Sequence, residues 1–259
     1  MKTIAIINQK GGVGKTTTAV SLGISLAQLG KKVLLVDLDG QANLTISLGF
    51  EPDEIENNLT KLIESRILKH DFVIDKKNYI LNAEGVDIIP ADITLSGMEA
   101  KMLYAINREC ILKNILKDFK DDYDYILIDC LPSLGVLAVN ALVSADSIII
   151  PVQAQYLSLR GMEQLFETVN EIKGQLNPNL EIEGILLTMY NGSTTLSKEV
   201  SETIKEMYGN QIKVFENVIR ISTKVAEAPS QGISIFKYNP TGKAAISYKL
   251  LANEVIAHE

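Results

Sequence analysis

One stretch near the N-terminus constrains the fold more than any other: Asn8-Gln9-Lys10-Gly11-Gly12-Val13-Gly14-Lys15-Thr16-Thr17-Thr18. An apolar, β-branched run precedes it and a helical pattern over 16–29 follows. Glycines let successive backbone N–H groups curl around an anion. A helix opening directly behind them adds the positive end of its dipole. In that context Lys15 can reach the β- and γ-phosphates of a nucleotide, and the Thr16 hydroxyl can coordinate Mg²⁺. A glycine-rich turn that binds nothing is the alternative, but Gly-Lys-Thr lies in register between strand and helix.

The rest of the chain repeats the strand-then-helix pattern. Strands are expected over 3–8, 33–37, 86–89, 125–129, 147–152, 184–190 and 214–218. Most are continuous apolar runs rather than alternating ones, as a parallel sheet covered on both faces requires. Helices are expected over 16–29, 97–116, 134–143, 161–173, 197–208 and 242–257. This predicts a doubly wound α/β fold, a mostly parallel sheet with helices on both faces. The polar, acidic stretch 51–82 reads as an insertion with one short helix near 59–68. We expect one domain over residues 1–259, with no DNA-binding domain ahead of the first strand. At 46% apolar residues the chain can bury such a core. Two cysteines, Cys110 and Cys130, are too few for a disulfide framework, so a reducing, cytoplasmic location is expected. Cys130 reads as buried packing. No run reaches the length of a membrane span.

Acidic residues end two of the expected strands. Asp37 and Asp39 follow Val33-Leu-Leu-Val and, two apart, share one face of an extended segment. They can serve a ligand at the carboxyl end of the sheet, or cap the next helix. Asp129 ends Tyr125-Ile-Leu-Ile, a Walker B pattern in which the carboxylate holds Mg²⁺ through its water shell.

The loop departs from the standard Gly-x4-Gly-Lys-Ser/Thr pattern. Gln9 stands where the first glycine belongs, and a second lysine, Lys10, sits at the rim. Lys-Gly-Gly-x-Gly-Lys-Thr resembles the deviant Walker A motif of the ParA/MinD group of ATPases, and the resemblance continues along nearly the whole chain. It implies ATP and Mg²⁺ held by Lys10, Gly11, Gly12, Val13, Gly14, Lys15, Thr16 and Thr17. It also implies an ATP-dependent homodimer in which Lys10 reaches the partner's nucleotide. Asp37-Leu-Asp39-Gly40-Gln41-Ala42-Asn43 is similar to the family's Asp-x-Asp-Pro-Gln-x-Asn. On that match Asp39 orients the attacking water and Asp37 lies nearer the Mg²⁺ shell. Gly40 replaces the family's proline, which should loosen the turn. Asp129-Cys130-Leu131-Pro132-Ser133 resembles Asp-Cys-Pro-Pro-Ser.

Pro151–Gly161 looks like the family segment that lines the dimer face. The run ending in Thr188-Met189-Tyr190-Asn191 and the run Glu227-Ala-Pro-Ser230-Gln-Gly232 also match. The resemblance places Met189, Arg220 and Ser222 near adenine, and among subfamilies it points to the short Soj type. Such proteins segregate plasmid or chromosomal DNA. They bind it nonspecifically as ATP dimers and work with a ParB-like partner, so a nucleoid-associated location is implied.

Charge bears on the DNA surface. The chain carries −7 overall, which argues against a general nucleic-acid binder. Residues 1–190 hold −8 and residues 191–259 hold +1. A DNA surface would therefore draw on Lys198, Lys205, Lys213, Arg220, Lys224 and Lys243. Ser193 stands where the Soj type usually has arginine, and 218–224 replaces the type's Val-Ile-Pro-Arg-Asn-Val-Arg, with one arginine lost, one shifted to Arg220 and one become Lys224.

The rival classes are weaker. A MinD-like membrane ATPase needs a basic amphipathic C-terminal helix, and 247–259 has one lysine and two glutamates. An iron–sulfur carrier needs a Cys-x-x-Cys. A synthetase acting on a metabolite would use the standard loop. A relative that positions a protein cargo uses the same chemistry and is the alternative.

Overall fold

The computed structural model describes residues 1–68, 73–155 and 158–258. Seven strands form one sheet in the order β3-β4-β2-β5-β1-β6-β7. They are β1 Lys2–Ile6, β2 Val33–Leu38, β3 Leu81–Ala83, β4 Val86–Ile89, β5 Tyr125–Cys130, β6 Ser147–Gln153 and β7 Glu181–Thr188. All pair parallel except β3, an antiparallel edge strand joined to β4 through Glu84-Gly85. The helices are α1 Lys15–Gln28, α2 Asn43–Ser47, α3 Leu59–Leu68, α4 Thr94–Met102, α5 Ile111–Leu116, α6 Val136–Ser144, α7 Ser158–Gln175, α8 Thr195–Tyr208, α9 Thr223–Glu227, α10 Ile235–Tyr238 and α11 Lys243–Ile256.

Strand periodicity divides the core into two layers. Ile4 and Ile6 of β1 join one cluster with Leu22 of α1 and Tyr248, Leu251 and Val255 of α11. Ala5 and the following Ile7 join the other, with Leu112 of α5, Leu142 of α6 and Leu165 of α7. Successive side chains point to opposite faces, so both faces are apolar and both are covered. The C-terminal helix is thus a packed wall of the core, as its composition predicts. Among the described residues no helix is long and apolar enough to cross a membrane.

Two expected elements differ. The single helix over 97–116 is broken into α4 and α5, with Asn107 in the left-handed region at φ 54°. The break is held by one local contact and by two from another helix. Arg108 Nη1 donates to the Leu103 carbonyl at 2.8 Å. Asn140 of α6 donates to the Arg108 carbonyl at 2.7 Å and accepts from Leu112 N at 3.0 Å. The expected strand over 214–218 is no regular strand either. Only Val214 and Arg220 bridge to the β7 side, at Ile185 and Tyr190. Phe215 N donates to Ile185 O and Ile219 N to Leu187 O, so four steps of the outer run face two of β7. The surplus is a bulge. Its amides are met by Glu254 of α11, which accepts from Glu216 N at 3.0 Å and from Asn217 Nδ2 at 2.9 Å. The small edge strand β3 is additional to the expected strands; it pairs with β4 through a tight turn in which Glu84 and Gly85 both have positive φ.

Candidate nucleotide site

The loop between β1 and α1 leaves the carboxyl edge of the sheet with β5 and β6 on either side. Gly12 and Gly14 have φ of 72° and 89°, a region that side chains with a Cβ strain to enter. A Cβ built on Gly11 or Gly12 meets no atom within 4 Å, so the space beside the loop is open. No side chain caps the α1 N-terminus, which leaves its first amides and its dipole for a ligand. The loop is anchored from behind: Thr188 Oγ1 of β7 donates to the Val13 carbonyl at 2.8 Å.

Lys15 is nearly buried, and its Nζ donates to the Lys10 carbonyl at 3.2 Å. Burial lowers its pKa, opposed in part by interactions with Asp129, Cys130 and Asp39. An ammonium in this position is short of compensating charge, and a polyphosphate would supply it.

Asp37 and Asp129 are partners in register across β2 and β5, both fully buried. Their surroundings differ. Asp37 Oδ2 accepts from Thr45 N at 2.9 Å and Thr45 Oγ1 at 2.7 Å, and Oδ1 from Asp39 N at 3.3 Å. Burial still raises its pKa to about 6. Neither oxygen of Asp129 has a hydrogen-bond partner. Burial pushes its pKa up strongly, and the Asp37 charge adds to this. The Thr16 hydroxyl eases the shift without meeting hydrogen-bond geometry, and Lys15 eases it further. A buried carboxylate without partners is costly unless a cation or its water shell completes it, so the residues present fit Mg²⁺. Among the described residues no three His, Cys, Asp or Glu side chains converge on a ready-made metal cage. Mg²⁺ is commonly held in such surroundings by one or two protein groups, phosphates and water. Cys130 is buried, and burial, then Asp129, raise its thiol pKa, which is the signature of packing rather than of a nucleophile.

Asp39 sits half-buried at the rim and accepts from Gln41 N at 3.0 Å through Oδ1. Gly40 behaves differently from the expectation that it loosens the turn. It is buried, and a Cβ there would overlap Ser96 Oγ and lie 2.9 Å from Ser96 N. The glycine is needed for close approach of α4, which clamps the turn.

Beyond the loop, a cavity of about 420 Å³ is lined by Gly14, Thr17, Met189, Arg220, Ser222 and Tyr248, among others. The structure thus brings Met189, Arg220 and Ser222 together beside the phosphate loop. Most of its wall is apolar, including Ile219, Val225 and Pro229, a setting for a flat base.

The six basic candidates are not equivalent. Lys198 and Lys205 are exposed on α8 among Glu199, Glu202 and Glu206. Lys213 is paired with Glu254 at 3.5 Å and lies over the Phe215 ring. It stands at the opposite end of the bulged run from Arg220. Arg220 is exposed, as is Lys243 at the start of α11. Lys224 is exposed but paired with Glu227 at 2.8 Å. Of the expected dimer-face segment, Tyr156 and Leu157 lie outside the described residues, as do the side chains of 158–160.

Comparison with known proteins fits this architecture. The AAA domain family model matches residues 1–182. The sporulation initiation inhibitor protein Soj of Bacillus subtilis is 44% identical over 99% of both chains. The chain belongs to the ParA/MinD-type P-loop ATPases. The chromosome partitioning protein ParA of Caulobacter vibrioides is 38% identical, covering all of this chain and 95% of that one. Among solved structures, cobyrinic acid a,c-diamide synthase from Mycobacterium smegmatis, with bound ATP analog and magnesium, superposes with a TM-score of 0.86. It is 34% identical, over 100% of this chain and 95% of that one. Solved neighbours of this fold carry ATP, an ATP analog or ADP, the synthase with magnesium.

Proposed function

We propose that this ParA-type chain is an ATP-hydrolysing DNA-partition protein. In this reading its 259 residues act as one domain in the cytoplasm, on the nucleoid. The observation that carries the nucleotide part is Asp129, buried without a hydrogen bond beside Lys15 and the uncapped α1 N-terminus. Bound ATP·Mg²⁺ supplies the transferable phosphoryl group and the charge that these residues lack. The amides of Gly11–Gly14 and of the α1 N-terminus cradle phosphate oxygens. Lys15, which donates to the Lys10 carbonyl, would neutralise the β- and γ-phosphates, and Thr16 and Asp129 would hold the metal. Thr17 would border the phosphates, and Met189, Arg220 and Ser222 the base, around the cavity that they line. Asp37, tied to Thr45, supports the metal shell from behind. Asp39 orients the attacking water more than it takes its proton. Lys10 belongs to the neighbouring subunit's site, so two copies meet face to face over nucleotide and turnover by one copy alone is slow.

The dimer then presents Arg220, Lys224, Lys243, Lys198 and Lys205 from two chains, doubling a weak surface. Lys213, held by Glu254, contributes least. A ParB-like partner bound to the centromere site stimulates hydrolysis and releases DNA. The full-length likeness to Soj and ParA supports this class. The test is DNA binding by polarisation with ATP, ADP or no nucleotide, across salt. The expected result is ATP-dependent binding that weakens steeply with salt. Absence of such binding at low salt would overturn the partition reading, leaving the ATPase reading and the cargo-positioning alternative.

A further inference from the structure

The two residues preceding Lys10 carry side-chain contacts that the nucleotide reading does not use. Asn8 is buried and works in two directions. Its Nδ2 donates to the Pro151 carbonyl of β6 at 2.8 Å, and its Oδ1 accepts from Lys10 N at 2.9 Å. Gln9, in the place of the standard loop's first glycine, reaches across to α7. Its Nε2 donates to the Gly161 carbonyl and to Gln164 Oε1, both at 2.9 Å. Gly161 permits the approach, since a Cβ there would lie 3.3 Å from Gln9 Nε2.

We infer that Asn8 and Gln9 are positioning residues for Lys10, fastening the root of this lysine to β6 and to the first turn of α7. A lysine side chain has several rotatable bonds, and directing it costs conformational entropy. Fixing the backbone at its root from two sides removes part of that cost before a partner arrives. A glycine at position 9 would leave the loop's entry without its tie to α7. The same tie links the phosphate loop to the connection between β6 and α7, so a shift of α7 is transmitted to the root of Lys10. The inference rests on the reading that Lys10 acts across a dimer interface.

The experiment is a double-mutant cycle between Gln9→Ala and Lys10→Ala, with Gln164→Ala as a second probe on the exposed face of α7. ATP-dependent dimerisation by sedimentation and steady-state turnover are the readouts, and thermal melts verify folding. Two hydrogen bonds to Gln9 are at stake, so Gln9→Ala should weaken the ATP dimer about five- to tenfold and lower kcat in proportion. Its KM for ATP should stay unchanged. Gln164→Ala should weaken the dimer about two- to threefold. In the Lys10→Ala background Gln9→Ala should add nothing, because there is no ammonium left to position. A silent Gln9→Ala, or one whose loss multiplies that of Lys10→Ala, would overturn the inference and leave the Lys10 reading standing. A silent Lys10→Ala would overturn both.

Discussion

The phosphate end of the sheet and its outer edge beside β7 are built on different principles. At the phosphate end the functional side chains are set by backbone geometry. Asp37 and Asp129 are paired by strand register, and the loop takes its shape from Gly12 and Gly14. At the outer edge the chain running past β7 carries a bulge held by one carboxylate from the last helix. The first arrangement needs only the right residue types at the ends of apolar strands and within one loop. The second depends on a contact across 37 residues and presents its charges on exposed side chains. The buried end therefore tolerates little change, while the exposed charges at the edge are not fixed by packing.

Removing the partnerless carboxylate tests the contrast most severely. Asp129→Asn should cut turnover about 10- to 100-fold by weakening the metal's hold. It should also raise the melting temperature of the nucleotide-free protein at pH 7. The sign follows from the raised pKa. Above the ordinary carboxylate range the folded state keeps a proton that the unfolded chain has released, so rising pH withdraws stability. The asparagine removes that dependence, and its advantage should shrink as pH falls below about 4, where the unfolded carboxyl becomes protonated as well. A melting temperature lowered equally at every pH would show that Asp129 is held by contacts rather than left without them.

At the edge, Glu254→Ala strips the bulge of its acceptor and should destabilise the fold by about 1–3 kcal/mol in urea melts. Burial works against ionisation of this carboxyl, but the Glu216 and Asn217 donors and Lys213 outweigh it and hold its pKa down. Nucleotide affinity should fall only modestly, through loosening of the run that carries Arg220 and Ser222. An unchanged midpoint would mean that the bulge is held elsewhere.

The smallest effect separates two cations on the same run. Arg220→Ala should reduce the salt dependence of ATP-dependent DNA binding by about one contact. Lys213→Ala should leave it unchanged, because Lys213 is engaged by Glu254 at the other end. Equal slopes for both variants would erase the distinction.

Legibility follows the same division. The mostly parallel sheet, most of its apolar strands along the chain and the loop with its helix could be read because each is encoded within about 20 residues. The α4–α5 break could not, since it depends on Asn140 reaching Arg108 and Leu112 from another helix. Nor could the bulge, whose signal is the single residue Glu254. Gly40 was visible as a departure from the family pattern. Its reason, the approach of Ser96, required the packing of α4. The clamp of Asn8 and Gln9 likewise joins residues about 150 positions apart.

The central claim is that one chain carries half of a two-subunit site. Sedimentation velocity of the wild-type protein with Mg²⁺ and either ATP, ADP or no nucleotide tests it directly. The account predicts a dimer with ATP, and monomer with ADP or without nucleotide. A chain that binds ATP and hydrolyses it at full rate while remaining a monomer would contradict it.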